Sequence, residues 1–197
     1  MKEKSGKFIV LYGINNLGKS TQAKILVQKM NDAGLKAEYL KYPIYDLAPT
    51  GPMINSYLRQ GNPYGLTPRE AQIIYTLNRF HFEATLKAKL AQGINIVAED
   101  YTGTGLAWGM GAGVNEGFLK ELNSALLKED LALLFYGQRF KQAVESGHRH
   151  EEDDDLTNKV REAHEKLGQE FGWVRINANQ PVKKISEEIW REVKKIL

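Results

Sequence analysis

Short apolar runs alternate along the chain with longer stretches in which apolar residues recur every three or four positions. Phe8-Ile9-Val10-Leu11-Tyr12 is unbroken by any polar residue and ends at Gly13, the pattern of a central strand buried on both faces. From 19 to 33 the apolar positions Ala23, Leu26, Val27 and Met30 keep helical spacing, and Gly34 stands where a helix C-terminus accepts a left-handed residue. "AEYLKYP" (37–43) predicts a second strand stopped by Pro43, and the Pro- and Gly-rich stretch 45–67 leaves room for one short helix near Met53–Arg59. Thr67 as N-cap and Pro68 as first helical residue open a long helix running to about Ala91. "INIVAED" (94–100) reads as a buried strand, the glycine-dense Gly103–Gly117 as loop or helix entry, and a helix follows over about 115–127. The strand "LALLFY" (131–136), a helix over Gln138–Ser146, a helix over about 155–171, the strand "WVRINA" (173–178) and a helix over Val182–Ile196 complete the chain.

Strand and helix alternate five times. That order predicts an α/β fold in which a five-stranded parallel sheet is covered by helices on both faces, a three-layer α/β/α arrangement. At 197 residues the chain fits one domain, 1–197, with at most a small lid. The most polar stretch, "GHRHEEDDD" (147–155), is the lid candidate, and its acidic run suits the start of the following helix. No internal repeat or low-complexity tract interrupts the pattern.

Composition changes this picture little. Apolar residues make up 42% and charged residues 26%, enough for an ordinary soluble core. A net charge of +3 without a basic run or basic helix face fits an anionic small ligand and excludes the usual nucleic-acid footprint. The absence of cysteine removes disulfides, thiolate metal sites and thiol catalysis. The polar "MKEKSGK" and the five-residue apolar run after it are too short for a signal or membrane segment, so a cytoplasmic location without membrane contact is expected.

Candidate chemistry begins where the first strand ends. Gly13-Ile14-Asn15-Asn16-Leu17-Gly18-Lys19-Ser20-Thr21 matches the phosphate-binding pattern G-x-x-x-x-G-K-[ST], lying between a buried strand and a helix as that motif requires. The glycines let backbone N–H groups converge on phosphate oxygens, and the helix N-terminus adds its dipole. Lys19 is expected to reach the β- and γ-phosphates of ATP, and Ser20 to ligate Mg²⁺. A GTPase needs N-K-x-D to hold guanine. None occurs, although Asp100-x-x-Gly103 follows a strand. A small-molecule kinase is the better fit.

"GINNLGKSTQ", "YPIY", "YTLNRF", "EDYTGTGLAW" and "REAHEKLGQEFGWVRINANQPVKKISEEI" occur in the order and spacing of the thymidylate kinases, and the chain resembles that family over essentially its whole length. The resemblance implies a P-loop NTPase-type fold, ATP and Mg²⁺ as cofactors, a small nucleotide acceptor, and a homodimer. It places Tyr75 as the ring that stacks on the base and Arg79, four residues later, as a hydrogen-bonding partner of the base or the phosphate; Tyr101, Thr104 and Trp108 complete the acceptor pocket. Glu99 takes the place of the family's aspartate near metal and acceptor. Arg149 is the lid cation expected over the transferring phosphoryl group, with Arg139 and Arg161 in reserve, and His148 and His150 read as exposed lid residues.

The chain also departs from that pattern. Asp100 and Tyr45 stand where the family places two phosphate-binding arginines, Asn15 replaces an acidic loop residue, and Gly109 occupies a position where glutamine is common. Losing two arginine contacts to a phosphate dianion weakens binding roughly a hundredfold. Lys41, Arg59 and Arg69 are the candidates to replace them. Three readings follow: phosphorylation of dTMP to dTDP, a kinase of the same fold with a changed acceptor such as a nucleoside, or a catalytically weak nucleotide-binding module.

Overall fold

The computed structural model describes residues 5–140 and 153–197. Among them the elements are β1 (Phe8–Tyr12), α1 (Lys19–Asp32), β2 (Ala37–Lys41), α2 (Thr50–Arg59), α3 (Pro68–Ala91), β3 (Asn95–Glu99), α4 (Thr102–Gly111), α5 (Glu116–Asn123), β4 (Leu131–Tyr136), α6 (Asp154–Phe171), β5 (Val174–Asn177) and α7 (Val182–Val193). The five strands form one parallel sheet in the order β2-β3-β1-β4-β5. Every residue of β1 and β3 is buried, as expected of strands covered on both faces, with the apolar run complete in β1 and flanked by the buried Asn95 and Glu99 in β3. The order reverses direction beside β1, which opens a crevice at the carboxyl ends of β1 and β3. The phosphate loop leaves one of those ends and Asp100 the other.

Local signals set the helix starts. Thr67 and Glu70 form a reciprocal capping box, with Pro68 in the first turn of α3. Asp153 caps α6 by accepting from the Leu156 N–H at 2.8 Å, and Asp154 and Asp155 sit in the first turn, so part of the acidic run serves that helix dipole. The rest of the expected lid, including Arg149, lies outside the described residues.

Three expectations are corrected. The glycine-rich segment after β3 is a helix of its own, α4, and not a loop or the entry to the next helix. Its glycines face neighbours: a Cβ at Gly109 would stand 2.7 Å from the Leu119 methyls, and one at Gly111 2.6 Å from Val160. Bare backbone lets α4 lie close against α3, α5 and α6. The helix expected over 115–127 ends at Asn123, because the Leu127 N–H is taken by the Glu83 carboxylate at 2.6 Å. Gln138–Phe140 are not helical: the Gln138 N–H donates to Asn179 Oδ1 and the Phe140 N–H to the Asn16 carbonyl at 2.9 Å. Residues 141–146 of that predicted helix lie outside the described part.

Candidate active site

The phosphate loop is shaped by backbone sterics. Gly13 has φ 129° and Gly18 φ 77°, with Asn16 also left-handed at 63°. At Gly13 a Cβ would press on the Phe135 carbonyl at 2.5 Å, so β4 leaves room for glycine alone. Lys19 is the first residue of α1 and is 4% exposed. Its Nζ donates to the carbonyls of Gly13 (2.8 Å) and Ile14 (2.9 Å) and lies 3.6 Å from the Asp100 carboxylate. Behind the loop, His164 of α6 borders a small cavity with Ile14, Leu17 and Gly137. Its Nδ1 bonds the Val160 carbonyl at 3.0 Å and its Nε2 is buried without a partner among the described residues. Burial, helped by the Lys19 charge, lowers its pKa to about 3.

A cleft of about 490 Å³ runs from this loop to α3 and α4. Asn15, Asn16, Leu17, Gly18, Lys19, Ser20 and Thr21 line one end, while Gly13 sits beneath the loop and does not line the cleft. Tyr45, Tyr75, Arg79, Tyr101, Thr104 and Trp108 line the other, with Glu99 and Asp100 between. Residues 90 positions apart in sequence thus share one chamber of nucleotide size.

The two carboxylates in the middle differ. Glu99 accepts from Tyr39 Oη at 2.7 Å and pairs with Lys41 at 3.3 Å. Burial alone would raise its pKa, but Lys19, Lys41 and hydrogen bonds from Ser20 and Tyr39 outweigh it and hold the group below its ordinary value. Asp100 has the reverse balance. Burial and the neighbouring Glu99 charge push its pKa up, despite Lys19, Lys41 and a 2.9 Å hydrogen bond from Thr104. Asp100 has φ 62°, a conformation that aspartate accepts more readily than most side chains.

On the far wall, Tyr75 packs edge-on against Tyr57, ring centroids 6.5 Å apart. Arg79 is 4% exposed, donates to Asn123 at 3.0 Å and lies directly against Gly105, where a Cβ would collide with its guanidinium. Of the three candidate replacement cations, Lys41 and Arg59 line the cleft, and Arg59 lies 4.9 Å over the Tyr45 ring. Arg69 stacks on Phe118 in a separate groove. Arg139 reaches Asp154 and Thr157, and Arg161 borders the cavity behind the loop.

Two contributors carried no signal by type alone. Asn78, fully buried, exchanges hydrogen bonds with the Ile44 backbone (2.8 and 3.0 Å) and with Thr50 (3.0 Å), which fastens the segment carrying Tyr45 to α3. Gln72 lines the cleft one turn before Tyr75. Its helical spacing to Tyr75 and Arg79, three and seven residues, was the available clue.

The thymidylate kinase family model matches residues 11–189. Relatives include putative thymidylate kinase 251L of Invertebrate iridescent virus 6, 29% identical over 189 residues, covering 95% of this chain and 87% of that protein. The thymidylate kinases of Plasmodium falciparum (isolate 3D7) and Homo sapiens are each 27% identical, covering 98% and 96% of this chain and 92% and 90% of their own. The solved structure of Candida albicans thymidylate kinase superimposes with a TM-score of 0.82 at 21% identity, over 97% of this chain and 92% of that one, which shows the shared fold. Among the described residues no helix is long and apolar enough to cross a membrane. With the family match spanning nearly the whole chain and the phosphate loop facing a nucleotide-sized cleft, the protein belongs to the thymidylate kinase family and is a kinase-type phosphotransferase.

Proposed function

We propose that the protein transfers the γ-phosphoryl group of ATP to dTMP, giving dTDP and ADP. A phosphate oxygen of dTMP attacks the γ-phosphorus in line, the bond to the β,γ-bridging oxygen breaks, and ADP leaves with that electron pair. The observation that carries this reading is the single cleft joining the phosphate loop to Tyr75 and Arg79.

The loop backbone from Asn15 to Thr21 holds the triphosphate, and Lys19 exchanges its contacts to the Gly13 and Ile14 carbonyls for phosphate oxygens. Ser20 and Glu99 offer hard oxygen donors within hydrogen-bond reach of each other, a set suited to Mg²⁺. The ion, when bound, neutralises charge on the β- and γ-phosphates. Tyr75 stacks on the base, and Arg79, prepositioned by Asn123, donates to it; Tyr101, Thr104 and Trp108 bound the pocket. Lys41 and Arg59 supply acceptor-side positive charge where Tyr45 and Asp100 do not. Arg149, in a lid at about 147–155 of one kinase domain spanning 1–197, closes over the transferring group.

Ile73, Leu77 and Phe80, spaced four and three residues apart on α3, are 41%, 42% and 38% exposed. This stripe supports the expected homodimer. Sedimentation of Leu77→Glu as a monomer, with the native chain a dimer, is the expected result.

A coupled assay of ADP release over a panel of nucleotides and nucleosides tests the reaction. ADP release dependent on dTMP is expected, and turnover on another acceptor without it removes the dTMP assignment. Asp100 favours a second reading. A carboxylate that projects into the cleft 3.6 Å from Lys19 suits an uncharged nucleoside hydroxyl better than a phosphate. Thymidine binding tighter than dTMP would select that reading.

A further inference from the structure

The inner wall of the cleft holds a polar group that the protein leaves unsatisfied. Gln72 is 4% exposed, and its Oε1 is buried without a hydrogen-bond partner among the described residues. An orphaned buried acceptor costs about 1–3 kcal/mol, and leucine or methionine would fill the same space without that cost. The residue also lines the cleft, on the face of α3 that carries Tyr75 and Arg79, in a wall shared with Trp108.

Gly109 on α4 leaves room for this side chain. A Cβ there would stand 3.2 Å from Gln72 Cγ, tighter than an ordinary contact, as well as 2.7 Å from Leu119. We infer that Gln72 reads the hydrogen-bonding edge of the acceptor's base, and that the absence of a side chain at Gly109 admits it. This inference rests on the reading of the cleft as a nucleotide-acceptor site.

The chemistry is specific. A carboxamide carries a donor and an acceptor on adjacent atoms, and its terminal torsion is broad enough for the two to exchange places. The edge of thymine sets N3–H between two carbonyl oxygens. It meets Gln72 with N3–H donating to Oε1 while Nε2–H donates to one carbonyl. Arg79, which has only donors, is suited to the remaining carbonyl and opposes the amino group of cytosine. Tyr75 and Trp108 offer ring surfaces, which grip any base and discriminate little. Edge reading therefore falls to Gln72 and Arg79 together.

Calorimetry on the full chain separates this role from a structural one. The probes are dTMP and 2-deoxyribose 5-phosphate, which is the same sugar phosphate without its base. Gln72→Leu is expected to weaken dTMP about tenfold or more, to leave 2-deoxyribose 5-phosphate and ATP unchanged, and to narrow the preference for dTMP over dCMP. Gln72→Met keeps the length of the side chain and carries the test if the leucine variant does not fold. A dTMP affinity within about twofold of the native value overturns the inference, as does an equal loss for the sugar phosphate. If the native protein turns over another monophosphate and not dTMP, the same pair of measurements with that nucleotide and its own sugar phosphate still decides the role of Gln72. In that case only the dTMP assignment falls.

Discussion

The two ends of the cleft are built from different materials. The triphosphate end is backbone: a turn of glycines and left-handed residues held between β1 and β4, with Lys19 folded onto its own carbonyls. The acceptor end is side chains drawn from α2, α3, α4 and the segment after β2. A backbone site demands particular glycines and tolerates little else. A side-chain site can deliver the same chemistry from different positions, and here the cations Lys41 and Arg59 line the cleft alongside Tyr45 and Asp100. The contrast says that changes at the first end harm every reaction the protein performs, whereas changes at the second select among acceptors.

The largest expected effect tests the first half of that statement. Lys19→Gln lowers kcat about a hundred- to a thousandfold, by the same factor for each acceptor that wild type accepts and with little change in acceptor KM. A loss that varied with the acceptor would break the division between the two ends.

His164 tests whether the backbone end has a hidden support. Its folded pKa of about 3 lies far below the ordinary value of about 6.5. As pH falls below about 6.5 the unfolded chain gains a proton that the folded protein refuses, so stability declines with acid. The expected decline is about 2 kcal/mol between about pH 7 and pH 5, measured by urea melts. His164→Leu flattens that slope, and an unaltered slope in the variant would show that other groups cause it.

At the acceptor end, Tyr75→Leu raises the KM for dTMP about tenfold while the KM for ATP stays constant. A parallel rise in both would mean that Tyr75 supports the fold of the cleft and not the base. The smallest effect belongs to Lys41→Gln, about threefold in acceptor KM, because this side chain is 48% exposed and its charge is matched by Glu99.

The fold and the phosphate loop's place between strand and helix were legible because their determinants are local. The run Phe8–Tyr12, the Gly13 to Ser20 spacing and the Thr67-Pro68 helix start each act within a few residues, and each appears in the structure where the pattern put it. The glycines of α4 misled because local propensity argues against a helix there, while their reason for being glycine lies in Leu119, Val160 and Arg79. Gln72 was overlooked for a related reason: glutamine is ordinary on a helix, and only the opposing α4 reveals that this one is enclosed. Gly109 on α4 leaves space beside Gln72, and the carboxamide stands on the facing helix α3.

Four of the ten residues of α4 are glycine, which costs about 4 kcal/mol of intrinsic helicity relative to alanine. A segment so poor in self-support borrows its shape from those that clasp it. The panel holding Thr104 and Trp108 is therefore as firm as α6 and α3 and no firmer, and an injury on the outer side of the molecule that loosens α6 would be felt first as a blurred preference among bases.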